Sequence, residues 1–109
     1  LNLMNDVTFL EAGRMLGQRM MQEGGQTPES RLRHGFRLVT SRVPSSSELQ
    51  VLRDSLNYHR DYFADEAKAA EYLSLGETKP DPALNKRELA AYAAVGSLLL
   101  NLDEAVTKE

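Results

Sequence analysis

The chain of 109 residues contains no cysteine, which excludes disulfide frameworks, thiolate zinc sites, iron–sulfur clusters and covalently attached haem within it. It has no apolar run near the roughly 18 to 20 residues that a membrane span needs, and Leu98-Leu99-Leu100 reads as part of an amphipathic pattern. The opening residues carry neither the basic nor the apolar segment of a signal peptide, and a start at Leu1 predicts a fragment or processed product of a longer protein. Charge of one sign is not in large excess either. With a formal net charge of -3, the chain has no overall field that would draw phosphate backbones or anionic lipid, so such binding would need a local patch. Strand signals are scarce, because β-branched residues are few and no stretch alternates apolar with polar positions for long.

What is present is helical periodicity around one core. Hydrophobic residues make up 41% and charged residues 27%, enough to form a single domain over 1–109 without staples. A first helix is predicted after Asp6 as N-cap, with Phe9, Ala12, Gly13, Leu16 and Met20 on one face and Gly24-Gly25 as its stop. Thr27-Pro28-Glu29 starts a second, whose apolar face reads Leu32, Gly35, Phe36 and Val39 and whose end falls at Arg42-Val43-Pro44. Ser45 and Glu48 fit a capping box for a third helix carrying Leu49, Leu52, Leu56, His59 and Phe63, ending near Ala64.

Asp65 restarts a short fourth helix through Ala67, Ala70 and Leu73, stopped by Gly76. The segment 77–83 holds Pro80 and Pro82 and reads as an intradomain loop. Asn85 and Glu88 repeat the capping-box spacing before the last long helix, with Leu89, Tyr92, Ala93, Gly96, Leu99 and Leu100 inward. Asn101 and Glu104 repeat it again, which predicts a break and a final turn through Val106. Gly13, Gly35, Ala93 and Gly96 on apolar faces imply close helix–helix approach. The expected architecture is all-α, a compact bundle of four to five helices.

Chemical constellations are few. Arg31, Arg33, His34, Arg37 and Arg42 form a basic cluster that would suit nucleic-acid phosphates if the second and third helices made a helix-turn-helix. The acidic balance and an expected lack of exposed aromatic residues favour a solvated face instead, so no nucleic-acid partner is expected. Arg42 is expected to tie the last carbonyls of the second helix, or Asp103 or Glu104, to the bundle. His34 and His59 lie on different helices without a ligand set at metal spacing, and no metal or other cofactor is expected. The pairs Asp65-Glu66 and Asp103-Glu104 read as caps at helix starts rather than as a catalytic acid and base. Ser45-Ser46-Ser47 lacks a nucleophile elbow, and Gly24-Gly25 lacks a phosphate loop's lysine. Met4, Met15, Met20 and Met21 cluster on and before the first helix, where surplus apolar surface would mark a docking face or a homo-oligomer contact.

Three stretches in order, 5–12, 36–44 with Ser47-Glu48-Leu49, and 98–104 running to Thr107-Lys108-Glu109, resemble one known family. They are similar to the C-terminal part of a domain of unknown function that closes large planctomycete proteins bearing a cytochrome-c-like module near their N-terminus. Val7 departs from the proline of that pattern. The resemblance implies an exported or periplasmic multidomain parent and supplies no catalytic residue. The fragment-like ends, the apolar surface of the first helix and the lack of a catalytic constellation favour a non-catalytic structural or interaction module that packs against upstream domains or against another copy. The alternative is an accessory part completing the active site of a hydrolase or redox enzyme.

Overall fold

The computed structural model describes residues 7–76 and 79–107, with side chains described for 10–76 and 79–102. Its helices, in chain order, are α1 (Val7–Glu23), α2 (Pro28–Thr40), α3 (Ser46–Tyr62), α4 (Glu66–Leu73) and α5 (Lys86–Thr107). There is no strand among the described residues, and the expected all-α bundle is what forms. A radius of gyration of 12.9 Å matches the roughly 13 Å of a close-packed chain this long.

Local chemistry explains most helix ends. Thr27 accepts a hydrogen bond from the Ser30 amide with Pro28 leading α2, and the Ser45–Glu48 capping box starts α3 with both of its bonds made. Asp65 accepts from the amides of Ala67 and Lys68 to start α4. Asn85 accepts from the Glu88 amide at 3.0 Å, while the Glu88 carboxylate turns outward to Arg60 on α3. That spacing is therefore only half used as a cap, and its acid joins α3 to α5. The α1 and α4 helices are followed by Gly25 and Gly76, both with positive φ, and α2 ends on Ser41 in the left-handed region at φ 62°. The Asp6 cap and Met4 fall outside the described residues.

The core is organised around α5. From Leu89 to Ser97 its residues are buried on every side, not along one face. Four alanines in this stretch keep the helix thin enough for α1, α3 and α4 to pack around it. The expected break at Asn101 does not occur, since α5 continues through Thr107. No glycine or proline interrupts it there, and good helix formers such as Leu98, Leu99, Leu100 and Leu102 outweigh a capping spacing. Asp103 and Glu104 consequently lie inside a helix rather than at a helix start, and their side chains are not among those described.

The closest packing is between α1 and α5. A Cβ on Gly13 would overlap Ser97 Oγ, one on Gly96 would overlap the Gly13 carbonyl, and one on Gly17 would lie 2.6 Å from the Ala93 amide nitrogen. Ascending α1 from Gly13 to Gly17 descends α5 from Ser97 to Ala93, so the two helices run antiparallel. The buried stripe of α1 includes Gly13, Arg14, Leu16, Gly17 and Met20, while Ala12, expected inside, is exposed. Gly17 and Arg14 displace it because the stripe follows the backbone contact with α5, not hydrophobicity alone. On α4, Leu73 is buried together with Ala69, while Ala67 and Ala70 are exposed. The loop before α5 is clipped to α1: the Asp81 amide donates to Gln18 Oε1 at 3.0 Å, and Gln22 donates to the Asp81 carboxylate at 2.8 Å.

Candidate functional site

The carboxyl-terminal end of α3 and its C-cap read Tyr58-His59-Arg60-Asp61-Tyr62-Phe63, which places rings at i, i+4 spacing on adjacent stripes. With Tyr72 from α4 they form a connected cluster. Phe63 is its buried centre, with Tyr62 edge-on at 5.0 Å, Tyr72 tilted at 5.1 Å and the His59 ring at 6.2 Å. Tyr58 meets His59 edge-on at 5.1 Å. Tyr58 is 65% exposed and Tyr62 48%. This overturns the expected lack of exposed aromatic residues. The i, i+4 repeat of rings in 58–63 was the legible signal, and it was read only as the packing stripe through His59 and Phe63.

These rings wall a cleft of about 470 Å³ that is closed by Leu10 of α1 and by Ala94, Ser97 and Leu98 of α5. Its polar groups are few. Burial pushes the Tyr72 phenol up, and Ser97 opposes the shift. The two are nonetheless outside hydrogen-bond geometry, so Ser97 Oγ, on a residue 1% exposed, has no partner among the described residues. His59 Nδ1 donates to the Ser55 carbonyl at 2.8 Å. In the neutral ring that bond leaves Nε2 as the acceptor. Ser55 Oγ lies 3.4 Å from the same Nδ1, but a nitrogen already committed as a donor cannot take the serine proton. The Ser55–His59 pair is therefore not arranged as an activated nucleophile.

The basic cluster is largely compensated. Arg42 makes two hydrogen bonds to Glu48, at 2.8 and 2.7 Å, and its guanidinium lies 4.9 Å from the Phe36 ring centroid. Its partner is thus the capping-box acid rather than a carbonyl of α2. The Arg42 guanidinium and the Ser45 backbone hold the Glu48 carboxyl down at about 2. Arg33 pairs with Glu29, and His34 with Glu23, whose carboxyl is also held at about 2 by Arg19 and then His34. Arg31 donates to the Gly25 carbonyl and lies 5.6 Å from the centroid of Tyr92. A second cleft of about 470 Å³ at the far end of α1 is lined by Arg33, His34 and Arg37 together with Glu23. Arg37 is exposed and has no acidic partner among the described residues.

Sequence reasoning also missed Arg14. It is 4% exposed on α1, donates to the Leu73 and Leu75 carbonyls at 2.9 and 2.7 Å, and approaches Glu11 at 3.5 Å. A cation at the carboxyl-terminal end of α4 satisfies carbonyls that the helix itself leaves open. Among the described methionines Met20 is buried, Met21 packs on the core, and Met15 is 53% exposed. Among the described residues no three histidine, aspartate or glutamate side chains are grouped to hold a metal ion. No helix among them is long and apolar enough to cross a membrane. Compared with known proteins, the chain matches no family model, no curated protein and no solved structure.

Proposed function

We propose that this domain is a non-catalytic interaction module that docks through the aromatic cleft between α1, α3, α4 and α5. In the setting that the family resemblance implies, it belongs to a larger exported protein and engages a preceding domain or another copy. The observation that carries this reading is the pair of exposed tyrosines, Tyr58 and Tyr62, at the mouth of an apolar cleft. Large rings with a polar tip lose little side-chain entropy on contact and are enriched where proteins meet. Among the described methionines of the first helix, Met15 is exposed while Met20 is buried and Met21 packs on the core. The Ser55–His59 geometry supports binding over the alternative of an active-site component.

The test is a photo-crosslinking residue placed at position 58 of the full-length protein, with the same residue at exposed Val51, nearer the start of α3, as control. Crosslinks from position 58 to one defined segment, absent from position 51, are the expected result. Equal or absent crosslinking from the two positions would sink the reading.

A further inference from the structure

The cleft has an electrostatic sign. Aromatic faces carry partial negative charge and attract ammonium and guanidinium groups. Here one ring is already so engaged, because the Lys68 ammonium sits 4.6 Å from the Tyr62 centroid. The segment 61–71, which contributes Tyr62 and Phe63 to the cleft wall, carries four carboxylates and one lysine outside the lining itself. Glu66 is partnered by Arg87 at 3.7 Å, whereas Asp61 and Glu71 have no ion pair among the described residues. The negative end of α3 also terminates at Tyr62.

Building on the docking role above, we propose that the cleft receives a lysine side chain borne by a partner protein. Lys68 is then the resident occupant of the Tyr62 face, and the incoming ammonium displaces it. The alkyl stem of such a lysine suits the apolar walls of the cleft, while its charged head meets the rings. A partner with an acidic face would be repelled by 61–71, which gives the site selectivity as well as affinity.

The experiment titrates the 109-residue chain with a short glycine–serine peptide holding one lysine, read by NMR at the tyrosine ring resonances. The same peptide with acetyl-lysine and with leucine, and the free tetramethylammonium ion, form the comparison arms. The expected result is saturable shifts at Tyr58, Tyr62 and Tyr72 with the lysine peptide, at least about fivefold weaker with either neutral peptide. Tyr62→Phe keeps the binding, Tyr62→Leu loses it, and Lys68→Gln tightens it by removing the internal competitor. Thermal melts establish that each variant is folded. Equal binding of the leucine peptide, or weaker binding by Lys68→Gln, overturns the proposal while leaving an apolar docking role intact. Tetramethylammonium binding as tightly as the lysine peptide overturns the protein-borne source. Crosslinking from position 58 that fails altogether removes the docking role itself.

Discussion

Arg14 shows how one guanidinium can fix a junction. Its bonds to Leu73 and Leu75 hold the end of α4 and the turn at Gly76 against α1. Replacing it by leucine preserves much of the volume but strands those carbonyls, at a cost of roughly 2–4 kcal/mol by the usual penalty for buried groups left unpaired. Urea denaturation of Arg14→Leu checks this, and a change below measurement error would show that water takes over the carbonyls. Ser97 has the opposite sign. Its buried hydroxyl makes no bond among the described residues, so Ser97→Ala should raise stability by about 1 kcal/mol. Neither residue was legible in the sequence. Arginine is ordinarily a surface residue and a serine inside a helix is ordinarily unremarked, so only the tertiary positions of α4 and α1 reveal them.

At the scale of elements, helix starts were the most readable features, because Thr27, Ser45, Asp65 and Asn85 act on amides within three residues of themselves. Faces were less readable. The buried side of α1 is set by how closely its backbone approaches α5, and hydrophobic periodicity does not encode a contact between glycines. The same rule gives a prediction. Gly17→Ala gains about 1 kcal/mol in helix propensity, but its methyl meets the Ala93 backbone at 2.6 Å, where overpacking costs roughly 1–3 kcal/mol. Backbone cannot rotate aside as a side chain can, so the net effect is destabilising, measurable as a lowered denaturation midpoint. The aromatic cleft joins four helices. Its α3 rings were visible as spacing, and its α1, α4 and α5 walls were not, since no local pattern specifies which helices will meet.

At the scale of the whole molecule, charges are paired locally rather than pooled, with short ion pairs spread over α1, α2 and α3. Two of them titrate together. Glu23 and Glu48 are each held at about 2 against an ordinary 4.5, so the unfolded chain binds more protons than the folded one between those values. Their contribution is complete above about pH 4.5 and is lost as the pH falls toward 2. Melting temperatures followed downward from pH 6 should decline over that window. The decline should be shallower in Arg42→Gln and at high salt, because both pairs face solvent. A curve indifferent to Arg42 would locate acid sensitivity elsewhere.

The antiparallel seam between α1 and α5 joins the two helices farthest apart along the chain. Until α5 has left the ribosome, α1 has nothing to receive its glycines. The nascent chain must therefore wait with its first helix exposed, and its core closes in a late, all-at-once step.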